Sequence, residues 1–336
     1  LGAIFTAAFI GGIFQIWIGK MLKPIRHMFP PLVTGIVVLM IGISLLKVGF
    51  KYAGGGVWLM NNKPEIFANW HHLTIAGTVL IVALFTNLKG RGMVSAASIL
   101  IGIIAGFIVA AMLGEVRWDK IAAAGWFAFP MPLQYGVDFV WGAVILMLFM
   151  SIVTTIETIG DISATTMGGA NREATDKELS GGIMADGVGT AFASIFNAMP
   201  NTSYSQNAGL VAFTGVISRH VGTVAGVILI LLGLFPKLGG IIAAMPDSVI
   251  GGAAIIMFGL IAGAGIKLIS KSEMSQRNIL ILALSLSFGI GLYAFPEFVA
   301  HVPDLGIKLG LLLTTGLIPA GLLAFILNAT LPKKNK

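Results

Sequence analysis

The sequence predicts an all-α, multi-span membrane protein, and three observations carry that reading. Hydrophobic residues fill 57% of the 336 positions and charged residues only 10%, at a mean hydropathy of +0.95. A soluble domain carries about 25% charged residues, and a water-soluble globule of this length would have to expose much of its apolar content. The apolar residues also fall into runs of bilayer length, and two of those runs resemble each other at a fixed spacing. A soluble enzyme, a nucleic-acid binder and a disordered chain are therefore poor readings. The net charge of +7, from 21 basic and 14 acidic residues, fits basic cytoplasmic loops better than a nucleic-acid surface. The chain has no cysteine, so disulfides, thiolate metal sites and cysteine nucleophiles are excluded.

A hydrocarbon core about 30 Å thick needs roughly 20 apolar residues of helix. Taken in order, that ruler gives eleven segments: 1–19, 29–47, 72–88, 93–113, 137–157, 181–198, 203–216, 220–235, 247–267, 278–294 and 306–328. Most are rich in Leu, Ile, Val, Ala and Gly and carry no internal charge. Two differ. Segment 181–198 contains Asp186 and Asn197, and segment 203–216 is short and polar; Pro200 separates them. If the segments alternate and the loop after the first is cytoplasmic, Lys20, Lys23, Arg26, Arg172, Arg219 and their like fall inside, and Lys47, Lys120 and Lys237 among others fall outside. The split is 14 basic residues inside against 7 outside. That bias predicts a cytoplasmic C-terminus and requires 203–216 to count as a membrane layer.

The two similar runs are Pro30-Pro-Leu-Val33-Thr-Gly35 and Pro246-Asp-Ser-Val249-Ile-Gly251, each followed by an apolar stretch. Pro, Val and Gly coincide at one constant offset. By the same parity the first runs inward to outward and the second outward to inward, so the repeats are inverted, a frequent plan in membrane carriers. Four spans from residue 137 onward precede the second run, but only one precedes the first. The offset places the start of the first repeat ahead of Leu1, by a stretch that would hold the three spans it lacks. The expectation is a 7+7 inverted-repeat fold of which eleven of fourteen spans are present, the chain opening inside an apolar run where the first repeat is cut.

Ionisable residues inside membrane segments are expensive and mark function by default. Glu157 and Asp161 close segment 137–157 with a spacing of four, which places both on one helix face. Asp186 lies in the next span; bracing of broken backbone fits it as well as a ligand role. After Pro200 comes Asn201-Thr-Ser-Tyr-Ser205-Gln206-Asn207-Ala-Gly209, ending on Thr214-Gly215. Broken backbone at membrane depth survives only against protein or a cavity, and a half-helix starting near 203 would aim free N–H groups and a positive dipole end at the break. Gln206 offers a carbonyl acceptor and an NH₂ donor, matching the N–H and C=O edge of a planar heterocycle. Glu157 offers an acceptor-only carboxylate to ligand N–H groups, and Asp161 could carry a proton. Neither a metal-ligating cluster nor a nucleophile–base constellation is found, so no metal, no cofactor and no enzymatic activity are expected.

Gln206-Asn207-Ala-Gly209-Leu-Val-Ala-Phe-Thr214-Gly215 resembles the signature of the nucleobase–ascorbate transporters, the xanthine/uracil permease family. Ile156-Glu157-Thr-Ile-Gly160-Asp161 and Ala185-Asp186-Gly187 resemble its two other marked stretches, in the right order. The resemblance covers the whole chain, from the fourth family span to the fourteenth. It implies a substrate-binding core domain (1–19 and 137–235) and a gate domain (29–113 and 247–328) that also forms a homodimer. It implies a short strand before the half-helix at 203, paired with a strand in the third family span. By motif position, Glu157 would accept hydrogen bonds from the base. Gln206 would contact it bidentately, helped by backbone N–H groups near Ser205, with Asn207 beside it. Asp161 would serve proton coupling, and Asp186 would be an indispensable carboxylate. Gln206 with Gly215 after Thr214 matches the purine type; uracil-type members carry Glu and Arg there. The implied function is import of xanthine or uric acid across the inner (plasma) membrane, coupled to protons or sodium. The alternatives are a pyrimidine permease and a non-transporting remnant of such a carrier.

Overall fold

The computed structural model describes residues 1–21, 30–204, 211, 216–301, 310 and 313–332. Its principal helices are α1 (Gly2–Lys20), α2 (Pro31–Ala53), α3 (Trp70–Lys89), α4 (Ser98–Met112), α5 (Trp141–Ala170), α6 (Asp176–Ile195), α7 (Arg219–Gly233), α8 (Pro236–Ala244), α9 (Asp247–Ile269), α10 (Gln276–Ala294) and α11 (Leu317–Thr330). Short helical turns between them are left unnumbered. Among the described residues six helices are long and apolar enough to cross a membrane, or seven if α7 and α8, bent by 79° at their junction, make one span; α4 and α11 are shorter apolar helices. A helix answers each expected segment except 203–216, which lies almost wholly outside the described residues.

Two helices depart from the hydropathy ruler. α5 starts at Trp141 and continues to Ala170, well past the expected end at 157, so Glu157 and Asp161 lie in the interior of a helix of 30 residues. Hydropathy measures preference for lipid, and helix continuity is a different property. Here hydroxyl side chains bond back to carbonyls one turn earlier, Thr155 to Ser151 at 2.7 Å, Ser163 to Ile159 at 2.7 Å and Thr166 to Ile162 at 2.9 Å, which hides their polarity inside the helix. α6 starts at Asp176, ahead of its expected segment, at a capping box in which Thr175 accepts from the Glu178 N–H and Glu178 accepts from the Thr175 N–H. The strand expected before residue 203 is not formed: residues 198–204 have no regular structure and no strand occurs among the described residues. A strand needs a ladder partner, and these residues bond side chains instead.

By contacts the chain forms two compact units, Leu1–Met40 with Pro130–Ser218 and Gly265–Lys336, and Ile41–Phe129 with Arg219–Ala264. In the first unit α1 packs antiparallel on α6 through glycines. A Cβ at Gly12 would stand 2.6 Å from the Gly187 carbonyl oxygen and 2.7 Å from the Ala191 nitrogen, and one at Gly187 would stand 2.6 Å from the Gly12 oxygen. Such approach brings backbones together without side chains between them, the usual packing device of helices in lipid. It also leaves glycine carbonyls open to donors: Ser180 donates to Gly19 at 2.8 Å and Ser151 of α5 to Gly11 at 3.0 Å. α1 thereby fixes α5 and α6, the two helices that carry the intramembrane carboxylates. In the same unit Arg277, in the first turn of α10, donates to the Asn328 and Leu331 carbonyls at 2.6 and 3.1 Å, satisfying free carbonyls at the end of α11. The second unit is built on Ile75, Val79, Ala110, Val116, Ala244, Val249 and Ala253.

The inverted repeat is visible in α2 and α9. Both have 23 residues. Both ends keep the offset of the sequence repeat, Pro31 answering Asp247 and Ala53 answering Ile269. They run antiparallel in each unit: Gly35 faces Ile269 and Leu39 faces Gly265 in the first, Gly42 faces Ala262 and Gly49 faces Ile255 in the second. Each step of seven along one helix is answered by a step of seven back along the other.

Gly12→Leu is expected to destabilise the first unit by about 1–3 kcal/mol or more, because the added side chain meets backbone on both sides. Gly77→Leu, where an added Cβ meets nothing within 4 Å, is expected to be neutral. Membrane abundance and the elution profile of detergent-solubilised protein distinguish the two; equal behaviour would mean that the α1–α6 approach is not tight.

Candidate functional site

Three elements of the first unit converge on the carboxylates. α5 supplies Glu157, Thr158 and Asp161; α6 supplies Asp186 and Thr190; the non-helical stretch after Pro200 supplies Asn201, Thr202 and Ser203. Each carboxylate receives a hydroxyl. Thr158 donates to Asp186 in a short hydrogen bond, Thr202 donates to Glu157 at 3.2 Å, and Ser203 donates to Asp161 at 2.5 Å. Consecutive residues of the broken backbone thus reach the two carboxylates spaced by one turn of α5. Thr190 donates to the side-chain oxygen of Asn201 at 2.9 Å and reaches its carbonyl at 3.2 Å. The approach is open because position 189 is glycine, where a Cβ would sit 2.9 Å from the Asn201 amide nitrogen. Thr158 and Thr190 are buried and the three carboxylates half-buried.

The antiparallel α5–α6 pair sets this register. Gly182 lets Ile162 and Thr158 lie against α6, where the next turn brings Asp186 to Thr158. Beside Asp161 and Ser203 an open cleft of about 470 Å³ follows α5 to Ala170 and includes Tyr204, Arg172 and Glu178. Glu178 lies ahead of the spanning part of α6, and hydrogen bonds from Arg172 first, then from Thr175, hold its carboxyl well below the usual carboxylate range. Among the described residues no three His, Asp or Glu side chains converge as a metal site requires.

Of the residues expected from sequence, Glu157, Asp161 and Asp186 stand together around Thr158. Ser205, Gln206, Asn207, Thr214 and Gly215 lie outside the described residues. The sequence did not single out Thr158 or Thr190, and it marked Asn201, Thr202 and Ser203 only as the start of the polar stretch after Pro200, without their partners. The available indication was the hydroxyl-rich run directly after Pro200: broken backbone beside carboxylates calls for donors, and hydroxyls supply them.

Comparison with known proteins gives concordant results. The permease family described by the Xan_ur_permease profile matches residues 1–298. A putative purine permease from Clostridium perfringens (strain 13 / Type A) is 38% identical over 331 residues, 98% of this chain and 71% of its own length. The xanthine permease XanP of Escherichia coli (strain K12) is 33% identical over 340 residues, covering 100% of this chain and 72% of that protein. The uric acid permease PucJ of Bacillus subtilis (strain 168) is 33% identical over 336 residues, covering 99% and 74%. Among solved structures, the transmembrane domain of the cyanobacterial bicarbonate transporter BicA matches with a TM-score of 0.52 at 15% identity, over 97% of this chain and 76% of that one; at that identity the likeness concerns the fold alone. The family match over most of the chain, together with relatives that align along nearly all of it, shows that the protein belongs to the xanthine/uracil permease family: it is a multi-pass membrane permease, not an enzyme.

Proposed function

We propose that the protein imports a purine base, xanthine or uric acid, across the plasma membrane, coupled to protons. The observation that carries this reading is the set of three hydroxyl-bonded carboxylates at the backbone break just ahead of Gln206. Glu157, held by Thr202, presents acceptor oxygens to ring N–H groups; Gln206 supplies the complementary donor and acceptor; Ser205 and Asn207 complete the contact. Asp161, at the cleft, takes and releases the coupling proton, and Asp186 fixes the α5–α6 register through Thr158. The relatives named xanthine and uric acid permeases support the substrate class. In this reading 1–19 and 137–235 form the core that moves with substrate. Residues 29–113 and 247–328 form the gate and the homodimer contact, Thr214 and Gly215 mark the purine type, and the C-terminus is cytoplasmic. Gln206, where a uracil carrier has Glu, counts against a pyrimidine permease.

Uptake of radiolabelled xanthine by cells making the full-length protein tests this. Xanthine and urate are expected to compete and uracil is not. A protonophore is expected to stop uptake and sodium removal to leave it unchanged. Competition by uracil alone would assign a pyrimidine carrier, and loss of uptake on sodium removal would assign sodium.

A further inference from the structure

One buried side chain between the site helices has no partner. Gln15, in α1, is 2% exposed, and its amide nitrogen makes no hydrogen bond among the described residues. Its place follows from the contacts on either side. Gly11, one turn earlier, stands against Met147 and Ser151 of α5, and Gly19, one turn later, against Met184 and Ser180 of α6. A spacing of four keeps these positions on one face of α1, so the amide lies where α1 meets both helices. α1 and α5 run parallel; one turn on from the Gly11–Ser151 contact, Gln15 is level with Thr155, one turn short of Thr158. On α6, a Cβ at Gly187 would stand 2.8 Å from the Ile16 nitrogen, so Gln15 and Asp186 each lie one residue from the same close approach. Thr155 has already returned its hydroxyl to Ser151 at 2.7 Å. Asp186 has capacity left: Thr158 donates to Oδ2, and Oδ1 receives no hydrogen bond among the described residues. A free donor and a carboxylate oxygen without one thus stand at the same level of one three-helix contact.

A buried N–H without an acceptor costs stability, and an apolar side chain of the same size would avoid that cost. We propose that Gln15 is a positioning residue for Asp186: in a second state of the carrier its amide donates to Oδ1, and the carboxylate, held by Thr158 on one side and Gln15 on the other, is fixed across the three helices. Glutamine has a long, freely rotating side chain, so the amide reorients while the tight α1–α6 backbone contact stays in place. In the present state Asp186 is bonded to α5 alone and the amide waits unpaired; transport alternates the two arrangements. Burial keeps bulk water from standing in for the acceptor, so the pair has no substitute. The proposal rests on the reading of the protein as a purine carrier with Asp186 in its core, and adds the third helix, α1, to the site.

The test is uptake of radiolabelled xanthine by the full-length protein carrying Gln15→Met or Gln15→Leu, both close in volume and without a donor. The rate is normalised to membrane abundance, and the thermal unfolding midpoint is measured on purified protein. The maximal rate is expected to fall about tenfold, the worth of one hydrogen bond to a charged acceptor. KM is expected to stay within about twofold, because Glu157 and Gln206, which contact the base in this reading, are untouched. The midpoint is expected to rise by about 2–4 °C, since the unpaired amide is gone. A side chain that serves packing alone predicts the opposite pair, an unchanged rate and a lower midpoint. A rate within about twofold of the unmodified protein, or one that falls only along with the midpoint, overturns the proposal. Failure of both variants to accumulate also overturns it, since an unpaired amide should cost stability rather than supply it. Thr158→Val leaves the amide as the remaining donor to Asp186; it is expected to retain partial uptake and to deepen the loss caused by Gln15→Met. An equal fractional loss in the two backgrounds places the amide's partner elsewhere, and total loss with Thr158→Val alone gives Asp186 to the hydroxyl; either overturns the proposal. Absence of xanthine uptake by the unmodified protein would instead overturn the purine reading, and the midpoint, which needs no substrate, would still judge Gln15, so the two failures are distinguishable.

Discussion

Glu157→Ala is expected to abolish base binding while the protein still accumulates in the membrane. The side chain lies mid-way along α5 and is half-buried, with the Thr202 hydroxyl as donor on one oxygen. The helix does not depend on it: α5 is anchored by Ser151 on the Gly11 carbonyl and by Thr158 on Asp186, and Thr202 stands where a water can replace the lost acceptor. The ligand has no such substitute. A hydrogen bond to a charged acceptor is worth about 1.5–3 kcal/mol, and the N–H left unpaired adds its own penalty, so the expected loss is on the order of a hundredfold or more in Kd. Glu157→Gln, which keeps one acceptor oxygen, is expected to fall between. Calorimetry on purified protein checks binding and membrane abundance checks folding. Retained binding by Glu157→Ala would move Glu157 to a structural role; loss of abundance would show that α5 needs the carboxylate.

The inverted repeat was legible because it rests on residue types with few substitutes. The Pro, Val and Gly shared at one offset mark a helix start and a close approach, and α2 and α9 keep that offset at both ends and meet through glycines. Helix ends were less legible where polarity and helix formation part company. The ruler for apolar content stopped α5 at Glu157, although Thr155, Ser163 and Thr166 return their hydroxyls to the helix backbone and let it run to Ala170. It placed the start of the α6 span at Gly181, although Thr175 and Glu178, three apart, spell a capping box earlier in the chain. The strand before residue 203 was inferred from resemblance, and in the described residues the same stretch forms side-chain bonds to α5 and α6.

At the site, the carboxylates stood out because a charge in a membrane segment is costly and rare. Their partners did not. A threonine or serine is cheap at any depth, since it can bond back to its own helix, and nothing in the chain order says that Thr158 turns to Asp186 while Thr155, one turn earlier, turns to Ser151. The pairing of Thr202 with Glu157 and Ser203 with Asp161 joins residues far apart in the chain. It follows from where the break after Pro200 falls against α5, a tertiary fact with no local pattern.

The second large effect is expected at Gln206. Gln206→Glu should weaken oxopurine uptake by about 10- to 100-fold, the cost of one unpaired polar contact, and should admit uracil. The amide offers both a donor and an acceptor and so meets an edge that carries C=O beside N–H. A carboxylate offers acceptors only, so the ligand carbonyl loses its donor and faces a like-signed oxygen, whereas a ring edge rich in N–H groups gains. The change from amide to carboxylate is nearly isosteric. Folding is therefore expected to be unaffected, and specificity alone should move. Competition of xanthine and uracil against radiolabelled xanthine reads the effect directly. If both compete as they do against the unmodified protein, Gln206 does not touch the base, and the choice between purine and pyrimidine must be made elsewhere in the core.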